Sequence, residues 1–244
     1  MSSLDGRVAV VTGGTRGIGH ATAAALADAG ATVVITGRDA GVAASRAAEL
    51  GERVSGVALD VTDSAAVRDV FKAVAKEHGR IDALVASAGV LEGGLLGMLT
   101  DDHIGTTLAT NVAGAITCVQ AAARVMMRKR SGSIVLLGSI VGERGNAGQT
   151  VYAASKAALS ATAKSAAKEL GRHGIRVNAV APGVIGTDLI AGQSDEVLAK
   201  VRADTALGRL GTPEEVAAVI RFLVGDEASF VTGQVLGIDG GLVL

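Results

Sequence analysis

Along this chain, short β-rich apolar runs alternate with longer Ala-rich stretches. The runs RVAVVT, TVVIT, SGVALD, IDALVA, GSIVLLG, RVNAVA and GQVLGID read as strands, and the first six are separated by stretches long enough for a crossover helix. That rhythm predicts an α/β fold, a doubly wound parallel sheet of seven strands with helices on both faces. The last connection fits the same scheme. In GTPEEVAAVIRFL, Thr212 is an N-cap, Pro213 takes the first helical position and Glu215 completes a capping box.

Nothing in the sequence breaks this pattern into parts. There is no Pro/Ser-rich linker, no long charge run and no internal repeat, so residues 1–244 are expected to form one domain. With 49% hydrophobic and 19% charged residues the composition is that of a soluble globular protein. The 34 glycines are spread along the chain, which implies many tight connections rather than a tether. The start, MSSLDGRVAVVTGG, lacks the basic region and apolar stretch of a signal peptide, and no apolar run approaches a bilayer span. A cytoplasmic protein with no membrane partner is therefore expected.

Charge and metal-ligand residues exclude further classes. A net charge of −1 makes no general case for nucleic acid. His20, His78, His103 and His173 lack ligand spacing, so no metal centre is expected. Cys118 is the only cysteine, and small apolar packing is its expected role.

The first strand runs directly into TGGTRGIGHATAAALADAG. Gly13, Gly17 and Gly19 fall at the strand-to-helix turn, where glycines let the backbone approach a pyrophosphate and free helix N–H groups face its charge. Glycines also serve plain tight turns, but the strand before and the helix after favour a dinucleotide site that includes Thr15, Arg16 and Ile18. At the end of the second strand, where NAD sites usually carry an acid, the chain has Gly37 and then Arg38. Arg16 and Arg38 together suit the 2′-phosphate of NADP(H). The competing reading leaves both arginines solvated and lets Asp39 reach the ribose.

Tyr152 is the only tyrosine in a chain that has no Trp and three Phe, and Lys156 follows at i+4. On a helix the two share a face. Hydride reduction of a ketone leaves an alkoxide that needs a proton, and a phenol is a suitable donor if its pKa falls toward neutrality. That change requires roughly 4 kcal/mol, which a cation some 4 Å away in a partly shielded site supplies. Ser139, at the end of SIVLLGS, offers the substrate oxygen a second hydrogen bond. Ordinary roles are a packed ring for Tyr152 and a strand-end cap for Ser139.

TGGTRGIG, LDVTD, Asn111, Ser139 and YAASK, in that order, resemble the short-chain dehydrogenase/reductase family over essentially the whole chain. Within it the chain is most similar to bacterial 3-oxoacyl-acyl-carrier-protein reductases, through MMRKRSGSIVLLGSIVGERGNAGQTVYAASK and VNAVAPGVIGTDL. The resemblance implies a Rossmann-type sheet and a catalytic set of Asn111, Ser139, Tyr152 and Lys156. Asn111 would hold a water near Lys156, and Lys156 would also bind the nicotinamide ribose. Asp60 and Val61 would meet the adenine, while Pro182, Gly183, Ile185 and Thr187 would frame the nicotinamide. The family usually shows two asparagines before Ala-Gly after the fourth strand. This chain has Ala86 and Ser87 before Ala88 and Gly89, so the usual side-chain brace is lost or rebuilt by Ser87.

The substrate walls are expected from VLEGGLLGML, GERGNAGQT and GTDLIAGQSDEVLAKV, the last being the family's lid. Leu91, Leu95, Leu96, Ile190 and Leu198 are candidates to face an acyl chain, or else core or interface residues. Arg128, Lys129, Arg130 and Arg172 could steer an acidic acyl carrier protein to the active-site mouth, or simply complement helix dipoles. The family also implies a homotetramer, with GGLVL at one interface. The leading functional reading is NADPH-dependent reduction of a carrier-bound 3-oxoacyl thioester in fatty-acid or polyketide-like synthesis. Its rivals are the same chemistry on a free ketone or alcohol, and a non-catalytic NADP(H)-binding scaffold.

Overall fold

The computed structural model describes residues 3–187, 190, 192 and 194–243. Seven strands, β1 (Val8–Thr12), β2 (Thr32–Gly37), β3 (Val54–Ala58), β4 (Ala83–Ala86), β5 (Gly132–Leu137), β6 (Ile175–Pro182) and β7 (Val235–Ile238), form one parallel sheet. Their order is β3-β2-β1-β4-β5-β6-β7, so the direction of winding reverses between β1 and β4. In an open α/β sheet that reversal leaves a crevice outside the carboxyl ends of the strands.

The seven apolar runs become these strands because each supplies both faces of the sheet. In register, Val34, Val10, Leu84, Ile134 and Val177 form a row across five strands, and all five belong to one core layer. One residue further along, Ile35, Val11, Val85 and Val135 form the next row and belong to the opposite layer. Burying each such side chain contributes about 1.5–3 kcal/mol, which drives helices onto both faces. Phe71 of α3 (Ser64–His78) and Met126 of α5 (Ala115–Lys129) fill the first layer, together with the buried Cys118. Leu26 of α1 (Gly17–Asp28) and Ile220 of α9 (Pro213–Val224) fill the second.

The remaining helices are α2 (Ala40–Glu49), α4 (Asp101–Leu108), α6 (Ile140–Arg144), α7 (Thr150–Leu170) and α8 (Asp195–Asp204). The start of α9 is as the sequence predicts. The Glu215 backbone N–H donates to the Thr212 hydroxyl at 3.3 Å, the Thr212 N–H donates to the Glu215 carboxylate at 2.9 Å, and Pro213 begins the helix. The seventh strand is pinned by the buried Asn178 of β6. Its amide donates to the Val231 carbonyl at 2.9 Å and accepts from the Gln234 N–H at 3.0 Å. Among the described residues, no helix is long and apolar enough to cross a membrane.

Candidate functional site

The glycine turn and the end of β4 meet at the reversal point, and this contact forms the floor of a cleft of about 900 Å³. Gly13 has φ +66°, and a Cβ there would come within 2.7 Å of the Ala88 Cα. Only glycine satisfies both the conformation and the approach. Thr12 ties the two strand ends together. Its carbonyl accepts from the Ser87 N–H at 3.2 Å, and its hydroxyl accepts from the Ala88 N–H at 3.4 Å. In this chain the brace therefore comes from Thr12, a residue that sequence reasoning missed although it closes the first strand.

The start of α1 is open. Arg16, at the N-cap, is extended and makes no side-chain capping bond, and the first turn carries no acid. A helix start with free N–H groups and no competing carboxylate fits a pyrophosphate. Further along the cleft lie Gly37, Arg38, Asp60 and Val61. The Asp39 carboxylate caps α2, accepting from the Val42 N–H at 2.8 Å. Asp39 does not line the cleft, while Arg16 and Arg38 both line it and are exposed. Asp60 accepts from the Thr62 N–H at 2.9 Å and the Thr62 hydroxyl at 2.7 Å. Those bonds, with Arg38 nearby, hold its carboxyl below the usual range despite some desolvation. Val61 packs on Gly114, where a Cβ would come within 2.8 Å of its Cγ2.

Ser139, Tyr152, Lys156 and Asn111 converge where β5 ends. Ser139 caps α6, its hydroxyl accepting from the Val141 N–H at 3.2 Å, and it lies close enough to the Tyr152 phenol to favour its ionised form. The cap and the site contact are thus one arrangement rather than alternatives. Tyr152 and Lys156 lie on one face of α7, with the Lys156 Nζ 5.5 Å from the phenol ring centroid. Nζ donates to the Leu137 carbonyl at 2.8 Å. Asn111 sits in a π-helical turn, Ala109–Gly114, between α4 and α5. Its amide brackets Val90, donating to the carbonyl at 2.9 Å and accepting from the N–H at 2.8 Å, and it donates to Ser155 at 3.0 Å. A Cβ on Gly89 would lie 3.2 Å from Asn111 Oδ1 and 3.5 Å from Lys156 Nζ, so glycine keeps that junction open.

The ionisation of this group differs from the sequence expectation. Burial pushes the Tyr152 phenol above its usual pKa, and Ser139 offsets only part of that rise. Burial also lowers the Lys156 ammonium to about 8. The expected lowering of the phenol by Lys156 is not seen, because Nζ is directed at the Leu137 carbonyl and desolvation dominates.

The nicotinamide-side residues Pro182, Gly183, Ile185 and Thr187 all line the cleft, as do Ser87 and Gly89. Leu91 and Ile190 line it too, whereas Leu95 and Leu96 are 61% and 73% exposed and lie outside it. Within the segment expected to form a lid, Asp188, Leu189, Ala191 and Gln193 lie outside the described residues, as does Leu244 of the GGLVL tail. Asn146 and Gln149 come from the GERGNAGQT segment expected to wall the substrate, whereas Leu242 was expected at an interface and Asp101 and Asp102, at the start of α4, were given no role. All five line the cleft.

The basic cluster is placed otherwise than expected. Arg128, Lys129 and Arg130 end α5, just before β5 begins, and Arg172 lies in the turn Gly171–His173 just before β6. The Arg130 guanidinium donates to the Arg172 carbonyl at 2.9 Å. These cations sit at the amino edge of the sheet, and the cleft is at the carboxyl edge, about 20 Å away along a six-residue strand. Within one chain they do not rim the mouth, because α5 runs antiparallel to the strand that follows it.

Known proteins are similar to this chain in sequence and fold. The family described as enoyl-(acyl carrier protein) reductase matches residues 13–243. The 3-oxoacyl-[acyl-carrier-protein] reductase of Escherichia coli (strain K12) is 40% identical over 242 residues, covering 99% of each chain. The enzyme of the same name from Thermotoga maritima is 42% identical over 244 residues, again covering 99% of each. The crystal structure of a putative short-chain alcohol dehydrogenase from Sinorhizobium meliloti superposes with a TM-score of 0.94 at 36% identity, over 98% of this chain and 97% of that one. With the glycine turn, the β1/β4 crevice and the Ser139–Tyr152–Lys156 cluster in one fold, this chain belongs to the short-chain dehydrogenase/reductase family.

Proposed function

We propose that this protein is an NADPH-dependent ketoreductase that converts 3-oxoacyl thioesters, carried on acyl carrier protein, to 3-hydroxyacyl thioesters in fatty-acid biosynthesis. The observation that carries the reading is the Tyr152 phenol, buried beside Ser139 and facing Lys156 at the end of the cleft. NADPH, when bound, supplies the hydride. Ser139 and Tyr152 hold the substrate oxygen, so that negative charge develops between two hydroxyl donors. The Tyr152 Oη–H bond breaks as its proton passes to that oxygen. The raised phenol pKa suits this direction, because it keeps Tyr152 protonated throughout the neutral range. Lys156, still largely charged at neutral pH and 5.5 Å from the ring centroid, is placed to return a proton to the phenolate left behind. Proton return runs past Lys156 to a water held beside Asn111.

NADP(H) rather than NAD(H) follows from the place of Asp39 at its helix cap, outside the cleft lining, and from Arg16 and Arg38 at the cleft. The chain works in the cytoplasm as a homotetramer. Phe230, fully exposed, the largely exposed Val243, and the partly exposed Leu108 and Ile116 are apolar surfaces for the partner copies to cover. Docking of the carrier on Arg128, Lys129, Arg130 and Arg172 then requires that a second copy bring its cluster to the mouth.

One observation favours reduction of a free ketone instead. The acids Asp101 and Asp102 line the cleft of the same chain, where an acidic carrier would be repelled. The deciding experiment follows NADPH and NADH oxidation with acetoacetyl groups on acyl carrier protein and on a pantetheine mimic, beside simple ketones. NADPH-selective turnover that improves on the carrier supports the proposal, whereas turnover of ketones alone replaces it with the second reading.

A further inference from the structure

Residues 239–243 form a strap over the substrate half of the cleft. After β7, Gly240 and Gly241 both take positive φ, and a Cβ at Gly240 would come within 2.9 Å of Thr205. The strap is thus pressed against the turn that follows α8. It is tied there by two backbone bonds, the Leu207 N–H to the Gly240 carbonyl at 3.1 Å and the Val243 N–H to the Asp204 carbonyl at 3.0 Å. Between them Leu242, 1% exposed, turns into the cleft wall. This position lies beyond β6 and β7, on the far side of the reversal point from Arg38 and Asp60, so it belongs to the substrate end.

One side chain fastens the strap to the catalytic side. Arg144 ends α6, the helix that begins at Ser139. Its guanidinium donates to the Leu242 carbonyl and lies 3.7 Å from the Asp239 carboxylate. Asp239 in turn accepts from the Gly241 N–H at 3.0 Å. Beside it, Glu143 accepts from Ser160 of α7 at 2.5 Å, which fixes α6 to the helix of Tyr152 and Lys156. The ring of contacts therefore runs from the catalytic helix through α6 and Arg144 to the strap, and from the strap to the exit of α8.

We propose that Arg144 is the positioning residue that holds this strap closed, and that Leu242, held in place by it, sets the longest acyl chain the cleft accepts. The inference rests on the thioester reading above. A charge-assisted bond to a backbone carbonyl fixes the strap more strongly than a neutral one. A methionine at this position would keep much of the apolar stem and remove the donor.

The test compares the wild type with Arg144→Met, Arg144→Lys and Leu242→Ala on acetoacetyl, 3-oxooctanoyl and 3-oxododecanoyl pantetheine thioesters, and on methyl ketones of matched length. Arg144→Met and Leu242→Ala are expected to raise the long-to-short ratio of kcat/KM by about tenfold or more, mainly through KM, the scale on which a methylene's worth of pocket discriminates. Arg144→Lys, which keeps a charged donor, should stay near the wild-type ratio. Hydrogen exchange at the Leu207 and Val243 amides should accelerate in Arg144→Met. Unchanged exchange would show that Arg144 does not fasten the strap, and faster exchange with an unchanged length ratio would show that the strap does not gate chain length. Either result overturns the proposal. A wild type that reduces ketones but no thioester removes the thioester reading alone, and the length ratio is then read on the ketones.

Discussion

The floor of the cleft and its rim are built on different principles. At the floor, Gly13 lies against Ala88, Thr12 ties β1 to β4, and Gly89 leaves room beside Asn111 and Lys156, so nearly every contact involves backbone. At the rim, Leu91, Asn146, Gln149, Ile190 and Leu242 come from loops and the chain's end. The floor admits few residue types because a single Cβ would obstruct it. The rim sets only the shape and polarity of a wall, which many sequences satisfy. Under the proposed function, cofactor and chemistry belong to the floor, and substrate identity to the rim.

The largest effect is expected from adding one methyl to the floor. Gly13→Ala must place a Cβ against Ala88 at positive φ, and NADPH affinity should fall at least about a hundredfold by fluorescence titration, with the fold intact by circular dichroism. Retained affinity would mean that the floor tolerates what the geometry forbids. Next in size is Arg38→Ala. It should reduce the preference for NADPH over NADH by about tenfold or more, measured as a ratio of kcat/KM values, since it removes a guanidinium suited to the 2′-phosphate and leaves Asp39 on its cap.

Most of the floor was legible in the sequence, and at the rim the wall segments were legible but not which of their side chains line the cleft. Seven apolar runs became seven strands because a sheet buried on both faces needs continuous hydrophobic stretches. The glycine turn, Ser139, Tyr152 and Lys156 were legible because phosphate approach and proton transfer each demand a particular residue type. Thr12 escaped notice because a threonine ending a strand has many ordinary uses. Leu242 and Asp101 enter the site through tertiary packing, and nothing at their sequence positions announces it. Arg128, Lys129, Arg130 and Arg172 were located as a cluster but not on the right edge, because charge in sequence carries no information on sheet direction. The ionisation of Tyr152 was misjudged for a related reason. Burial is a property of the packed site, and it outweighed the opposing influence of Ser139.

The pH dependence should separate the two titrating groups of the floor. Lys156 loses its proton near pH 8, so kcat/KM for reduction should fall above about that pH, while the raised pKa of Tyr152 keeps the phenol protonated well beyond it. The smallest effect concerns stability and has the opposite sign to the effect on activity. The lowered pKa of Lys156 means that its charged form is costly to bury, a cost present in full below about pH 8 and gone once pH exceeds the unfolded value of 10.5. Lys156→Met should inactivate the protein yet stabilise it by about 1–2 kcal/mol at pH 7, after allowing for the Leu137 carbonyl left without its donor. That gain should vanish by about pH 10.5, as followed by urea unfolding.

The central claim is that the buried phenol of Tyr152 delivers the proton, and Tyr152→Phe tests it most directly. NADPH affinity and NADPH oxidation with an acetoacetyl thioester would be measured on the same preparation. The account predicts affinity within about threefold of wild type and turnover lower by about a thousandfold or more. Near-normal turnover by the phenylalanine variant would contradict it.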